Sequence, residues 1–278
     1  MTTSDRVGSW TEVKLGIIQE YAAAYASIMA KQLSIRHFAY IDGFAGAGTH
    51  LSKTTGKEIL GSPAIALATE PPFSFYYFID LDGKRAESLE SLAKGRPNVQ
   101  VFRGDCNKVL IEDVFPKCCF EDFRRALCLL DPYELNPNWE VISTAARMKS
   151  IEIFLNFMIS DANRNILWRN PDGVSPAQIE RMNQFWGDAT WRDISYKKIR
   201  GLFGDIEEKE TNDTIAQAYR MRLQDIAGFK FVPEPVPMRN SKGVVLYYLF
   251  FASHNRTGDK IARHILGKYQ TRGIEYGG

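Results

Sequence analysis

At Tyr40-Ile41-Asp42-Gly43-Phe44-Ala45-Gly46-Ala47-Gly48 an apolar run ends on an acid and breaks into glycines. His37 to Ile41 is short, apolar and partly aromatic, the composition of a strand covered on both faces rather than on one. Gly43, Gly46 and Gly48 then remove Cβ atoms where the backbone has to turn sharply, which lets a ligand approach the main chain. A buried strand feeding such a turn suits a nucleoside cofactor. Glycine patterns also occur in ordinary turns, so the neighbouring strands have to discriminate.

Strand-like runs recur downstream, and acids follow them. Phe73 to Ile79 leads to Asp80-Leu81-Asp82. A carboxylate at the end of the second strand is where nucleotide-binding α/β folds hold a ribose hydroxyl, and Asp80, directly after the strand, is better placed for that than Asp82. Asp82 suits a cap for the helix Gly83 to Lys94. Val99 to Phe102 is followed by Asp105, which stands either to accept from an adenine amino group or to cap the helix Lys108 to Val114. Ala126 to Leu130 leads to Asp131-Pro132-Tyr133-Glu134-Leu135. Proline stops the strand and fixes the backbone, leaving an acid, a free carbonyl and an aromatic ring close together. An exocyclic amine can donate to Asp131 and to the Pro132 carbonyl while its ring stacks on Tyr133. The helix Trp139 to Met148 precedes a fifth buried strand, Ile151 to Ile159. Strands alternating with helices in this way predict a parallel, doubly wound sheet whose carboxyl edge collects the glycine turn and the acids.

Ahead of the first strand, Ser9-Trp10-Thr11-Glu12 has the form of a capping box. Val13, Ile17, Ile18, Tyr21, Tyr25, Ile28 and Met29 make one apolar stripe to about Gln32, so residues 1–36 read as a helix packed on the core. Lys14, in its first turn, is either a solvated lysine or a contact to cofactor or substrate. The loop Thr49 to Leu60 is long for a strand-to-helix connection, and Gly61-Ser62-Pro63-Ala64 opens the next helix. From 161 to 228 the alternation lapses into a helical insertion or cap. Trp168, Trp186 and Trp191 lie there among Arg164, Arg169, Arg181 and Arg192. That mixture suits either a substrate surface that holds phosphates and stacks bases, with Arg164, Trp168 and Trp186 in contact, or a small unit with its own tryptophan core. Phe229 to Met238 and Val244 to Ala252 predict a closing antiparallel hairpin, so the core comprises 37–160 and 229–270. A last helix, Thr257 to about Lys268, and a mobile tail from Tyr269 complete the chain.

Composition narrows the function classes. Lys and Arg number 35 against 33 Asp and Glu, and a net charge of +2 gives no global pull toward nucleic acid, leaving only a local basic surface. No apolar run approaches membrane-spanning length, and Met1-Thr2-Thr3-Ser4-Asp5-Arg6 lacks the apolar core of a secretion signal. A cytoplasmic protein without membrane contact is expected. Cys106, Cys118, Cys119 and Cys128 form no C-x-x-C pair and have no histidine at a zinc-ligand spacing, so no metal is expected. His37, His50, His254 and His264 fit no nucleophile motif.

Taken together, Asp42 to Gly48, Asp80, Asp105, Asp131-Pro132-Tyr133 and the hairpin Phe231 to Ala252 resemble the seven-stranded S-adenosylmethionine-dependent methyltransferases. More closely, the chain is similar to the three-Cys-motif partner protein family of bacteria and phages. The similar stretches are Asp42-Gly43-Phe44-Ala45-Gly46, Gly61-Ser62-Pro63-Ala64, Leu130-Asp131-Pro132-Tyr133 with Trp139, Phe185-Trp186-Gly187 and Tyr247-Tyr248-Leu249-Phe250-Phe251-Ala252. The resemblance implies a Rossmann-like sheet of five parallel strands plus a C-terminal antiparallel hairpin, with S-adenosylmethionine as cofactor. It also implies a protein partner carrying a cysteine motif that this chain lacks. In that reading Gly43, Gly46 and Gly48 pass around the methionine part of the cofactor, Asp80 holds the ribose, Asp105 sits by the adenine, and Asp42 and Phe44 also belong to the cofactor site. Asp131, Pro132 and Tyr133 would then serve methyl transfer to a nitrogen of a nucleic-acid base. Adenine-N6 methyltransferases of rRNA have a similar turn with two prolines where this chain has one. Two other readings stand beside this one. The first is a regulatory partner of methyltransferase fold that docks through the Trp168 to Trp191 region; the second is a nicotinamide dehydrogenase, which has no use for the hairpin or for Asp131-Pro132-Tyr133.

Overall fold

The computed structural model describes residues 5–53, 56–201 and 204–275. Residues 1–4 and 276–278, on which the readings of the N-terminus and of the tail partly rest, lie outside the described residues. In chain order the first half holds β1 (Asp5–Val7), α1 (Ser9–Met29), β2 (His37–Asp42), β3 (Thr49–Ser52), β4 (Glu58–Leu60), α2 (Ser62–Leu67), β5 (Phe75–Asp80), α3 (Gly83–Ala93), β6 (Val99–Arg103), α4 (Cys106–Val109) and β7 (Arg124–Leu130). The second half holds α5 (Trp139–Met148), β8 (Ile151–Phe157), α6 (Ile159–Asn165), α7 (Pro176–Trp186), α8 (Trp191–Ser195), β9 (Tyr196–Gly201), β10 (Gly204–Lys209), α9 (Asn212–Asp225), β11 (Val236–Arg239), β12 (Val245–Ala252) and α10 (Arg256–Glu275).

The apolar runs become one seven-stranded sheet of order β11-β12-β8-β7-β2-β5-β6. β2, β5, β6, β7 and β8 run parallel, while β12 is antiparallel to both β8 and β11. This is the Rossmann-like seven-stranded methyltransferase sheet, five parallel strands closed by an antiparallel hairpin. β5 and β6 lie on one side of β2, whereas β7 and β8 lie on the other, so the order reverses at β2. Open α/β sheets bind ligands outside the carboxyl ends of the strands at such a reversal.

Helices cover both faces, which is why β8 is buried along its whole length. Ile17, Tyr21, Phe154, Leu249, Phe251 and Ile265 belong to one apolar layer beneath α1 and α10. Phe157, Phe185, Trp186, Tyr219 and Phe250 belong to the other. The segment 161–228 thus shares its core with the sheet, because Phe185, Trp186 and Tyr219 pack in one cluster with Phe157 and Phe250.

Several local expectations are corrected. Gly8, not Ser9, is the N-cap of α1, and the helix closes at Met29, three residues short of Gln32. The Thr49 to Leu60 loop contains β3 and β4, with β3 also pairing with β1. Within 161–228 an antiparallel hairpin, β9 and β10, stands where only helices were expected; Lys197 faces Glu208 and Lys198 faces Glu207 across it. Opposite charges stabilise such cross-strand pairs without producing the apolar alternation that reveals a strand. The tail is helical through Glu275. Lys268 Nζ and Tyr269 Oη both donate to Glu20 Oε1, at 2.7 and 2.8 Å, which fastens this helix to α1.

Candidate functional site

The glycine turn leaves β2 stitched to both neighbouring strands. Gly43 N–H donates to the Leu129 carbonyl at 2.9 Å and Ala45 N–H to the Ile79 carbonyl at 3.0 Å. A Cβ at Gly43 would stand 2.8 Å from Cys106 Sγ and 3.0 Å from Leu130 Cδ2, so packing admits no side chain. Gly46 is glycine for a different reason. Its φ is +66°, and nothing lies within 4 Å of where a Cβ would be, so the residue is buried by its neighbours yet borders open space where a side chain would project. Asp80, the last residue of β5, accepts Gly46 N–H on Oδ2 and Asp82 N–H on Oδ1, both at 2.8 Å. Each carboxylate oxygen retains a further lone pair.

Asp42 closes β2 and is fully buried. Burial pushes its carboxyl up to about 7; a hydrogen bond with Ser62 opposes that rise, and the charge of Asp131 adds to it. Its Oδ1 accepts Phe44 N–H at 3.3 Å, while Oδ2 has no partner. Gly48 accepts Gly61 N–H at 2.8 Å, which ties the turn to the start of α2 and places Ser62 beside Asp42.

Asp131 organises the other half of the edge. Lys14 Nζ donates to its Oδ2 and Asn156 Nδ2 to its Oδ1. Lys14 is buried and its ammonium also lies 5.9 Å from the Tyr247 ring centroid, which excludes the solvated reading of this lysine. The Asp131 side chain is 23% exposed, so one flank of the clamped carboxylate stays open. Asn156 Oδ1 and Tyr247 Oη, like Asp42 Oδ2, are buried without a hydrogen-bond partner. Such atoms are costly to leave unpaired. They belong to β2, β8 and β12 at this one end of the sheet.

The turn after Asp131 is held from three directions. Pro132 is buried, and Tyr133 is 59% exposed with the Arg85 guanidinium 5.3 Å from its ring centroid. Arg181 bridges Glu134 at 3.1 Å and Asp161 at 2.9 Å, and Asp161 accepts Leu135 N–H. Asn107 donates to the Asn136 carbonyl at 3.0 Å and accepts Asn138 N–H at 2.7 Å. Asn156, Arg85 and Asn107 escaped sequence reasoning, and Arg181, expected among the basic residues of a substrate surface, is instead engaged with Glu134 and Asp161. Asn156 alone left a signal, as an amide in the otherwise apolar end of Ile151-Glu152-Ile153-Phe154-Leu155-Asn156-Phe157.

The remaining candidates divide. Asp82 caps α3 through Lys84 and Arg85 N–H, and Asp105 caps α4 through Asn107 and Lys108 N–H, in both cases with Oδ1. Phe44 packs against the core cluster. Trp186 is corrected: it is fully buried, with its indole N–H on Thr190 Oγ1 at 3.1 Å, and has no surface to offer a substrate. Trp191 is buried as well, donating to Asn183 Oδ1 at 2.8 Å. Arg164 is exposed and Trp168 is 41% exposed, its indole N–H on the Arg164 carbonyl at 2.7 Å. The tryptophans of this region therefore form mainly a core.

The carboxyl edge fits a nucleoside cofactor that carries an ammonium group. Gly46 offers main chain next to open space, Asp42 Oδ2 lacks a donor, and Asp80 and Asp105 stand at the ends of the next two strands. Among the described residues no group of His, Cys, Asp and Glu is placed to hold a metal ion, and no helix is long and apolar enough to cross a membrane.

The fold is Rossmann-like α/β, with a seven-stranded sheet of methyltransferase topology. No protein-family model matches this sequence, nor does any curated protein. Among solved structures, protein LPL1258 of Legionella pneumophila is similar with a TM-score of 0.51 at 11% identity, over 93% of each chain. The CurJ carbon methyltransferase aligns with a TM-score of 0.41 at 10% identity, over 83% of this chain and 53% of that one. The YcgJ protein of Bacillus subtilis gives 0.34 at 16% identity, over 84% and 95%.

Proposed function

We propose that this chain is an S-adenosylmethionine-dependent methyltransferase whose acceptor is a nitrogen of a nucleic-acid base. The observation that carries the reading is the pairing, at the strand-order reversal, of an open glycine turn on β2 with a clamped, partly exposed carboxylate after β7. Asp42 would take the amino group of the cofactor, and the main chain from Gly43 through Phe44 to Gly48 would pass around its methionine part. Asp80 would hold the ribose through its remaining lone pairs, and Asp105 the adenine through the oxygen that does not cap α4. S-adenosylmethionine supplies an electrophilic methyl group on a sulfonium.

The chain's own residues position the acceptor. Asp131 and the Pro132 carbonyl accept the N–H groups of an exocyclic amine and so aim its lone pair, while one face of the exposed Tyr133 ring stacks on the base. Lys14 and Asn156 fix the Asp131 carboxylate before substrate arrives, so little ordering is left for the reaction. Lys14 has a second effect. By pairing with Asp131 it would keep a bare carboxylate from stabilising the cationic ground state of a bound methyl donor.

The same ion pair supports a second reading, a regulatory partner that retains the cofactor without transferring its methyl group, because Lys14 occupies the Asp131 Oδ2 that an amine would seek. A three-Cys-motif protein is the partner that reading calls for. Transfer of tritium from methyl-labelled S-adenosylmethionine to RNA and DNA separates the two. Incorporation that disappears in Asp131→Ala supports the enzyme; cofactor binding with no incorporation into either polymer supports the partner.

A further inference from the structure

The amino edge of the sheet, at the opposite end of the strands from the glycine turn, encloses a cavity of about 350 Å³. Its wall is made by the C-terminal turns of α1, the starts of β7 and β8, and the residues that follow β12. That volume suits one small molecule.

Three polar atoms of the lining residues are buried without a partner: Tyr25 Oη, Ser150 Oγ and His254 Nδ1. His254 Nε2 lies 2.8 Å from the Ala146 carbonyl oxygen. A carbonyl only accepts, so Nε2 carries the proton and Nδ1 of the neutral ring is a bare acceptor. Burial lowers the His254 pKa, and Lys230 and Lys149 lower it further against the opposing Ala146 hydrogen bond, which keeps the ring neutral. Nδ1 therefore calls for a donor from a ligand, and the two hydroxyls can donate or accept.

Charge defines the other end of that ligand. Arg125, Lys149 and Lys230 all line the cavity, and both lysines are exposed at its rim. Arg125 is held in place over the Phe120 ring, 3.8 Å from its centroid, with Nη1 on the Phe120 and Arg124 carbonyls. The one carboxylate in the lining, Glu152, is already committed to Tyr21, Ser253 and Asn255. Glu121, outside the lining, lies close enough to Lys149 and Arg125 to offset part of their charge, and the balance at this end remains positive and suits an anion.

We propose that this cavity binds a small phosphate ester with free hydroxyl groups, its phosphate at Arg125, Lys149 and Lys230 and its hydroxyls at His254 Nδ1, Ser150 and Tyr25. Sugar phosphates and mononucleotides share this chemistry. The site is independent of methyl transfer, since the two edges lie at opposite ends of the strands.

Titration calorimetry of the full chain with ribose 5-phosphate, adenosine 5′-monophosphate and inorganic phosphate tests the assignment. At least one ester should bind one to one, the tighter of the two identifying the source, and inorganic phosphate should bind at least about tenfold more weakly because it brings no polyol. Lys149→Glu with Lys230→Glu should weaken the ester by about tenfold or more while leaving S-adenosylmethionine affinity and the unfolding midpoint unchanged, both side chains being exposed. His254→Leu should weaken the ester and leave inorganic phosphate unaffected. No heat with either ester at millimolar concentration overturns the proposal. So does equal binding of inorganic phosphate, or an unaltered affinity in the double lysine variant.

Discussion

Lys14→Met removes the ammonium that clamps Asp131 and leaves a side chain of similar length in the same buried place. Deleting one partner of a buried ion pair costs about 3–5 kcal/mol, because a charge is stranded. Here the stranded carboxylate keeps Asn156 as a donor and is 23% exposed, so water relieves part of the penalty. The expected loss is accordingly nearer to about 2 kcal/mol. Asp131→Asn alone strands the more deeply buried Lys14 and should cost at least as much. Combining the two removes both charges and still leaves an amide oxygen for Asn156, so the double variant should lie within about 1 kcal/mol of the wild type. The coupling energy is then about 3 kcal/mol or more. Urea unfolding followed by circular dichroism reads it, provided the four proteins share one m-value. An additive cycle, or a loss below about 0.5 kcal/mol for Lys14→Met, would refute the claim that the two residues act as one unit.

Three further outcomes follow from named contacts. Burial pushes the Asp42 carboxyl up to about 7, so from about pH 4 to about pH 7 the folded chain holds a proton that the unfolded chain has released, and stability falls as pH rises through that window. Asp42→Asn should flatten part of this slope in calorimetric melts, with Glu152, also pushed to about 7 by burial, retaining the rest; parallel profiles would contradict it. Trp186→Ala should cost about 3–5 kcal/mol by urea unfolding and Trp168→Ala under about 1 kcal/mol, because only the former is fully buried; equal losses would count against the shared core. Gly43→Ala must force a Cβ to 2.8 Å from Cys106 Sγ and should cost about 1–3 kcal/mol, whereas Gly46→Ala meets no atom and bears only the positive φ, about 1 kcal/mol; the reverse order in urea would overturn the turn geometry.

Much of the fold was legible because the middle of the sheet is covered on both faces, which turns its central strands into largely apolar runs. β2 from His37, α5 from Trp139 to Met148 and the strand from Ile151 stand where the sequence puts them. The β9–β10 hairpin was invisible for the opposite reason: three of its six cross-strand pairs oppose charges, and the lone Ile199–Ile206 pair makes no apolar face. The site was legible only in outline. Glycines and acids at strand ends can be read locally, but the partner of Asp131 is Lys14, 117 residues earlier, and nothing in the second turn of α1 announces that its lysine points inward. Trp186 shows the converse limit. A tryptophan amid arginines suits both a binding face and a core, and packing against Phe185 and Tyr219 decided for the core. Gly187 follows from that packing too, since a Cβ there would stand 2.5 Å from the Trp139 ring.

The central claim is that the carboxyl edge at the glycine turn holds S-adenosylmethionine, and calorimetric titration of the wild type, Asp80→Ala and Gly46→Val with that cofactor tests it most directly. The account predicts one-to-one binding by the wild type. Asp80→Ala removes both the Gly46 N–H anchor and the ribose partner, and Gly46→Val fills the open space above the turn, so each should weaken binding by at least about tenfold. Absence of binding by the wild type at millimolar cofactor, or Asp80→Ala binding as tightly as the wild type, would contradict it.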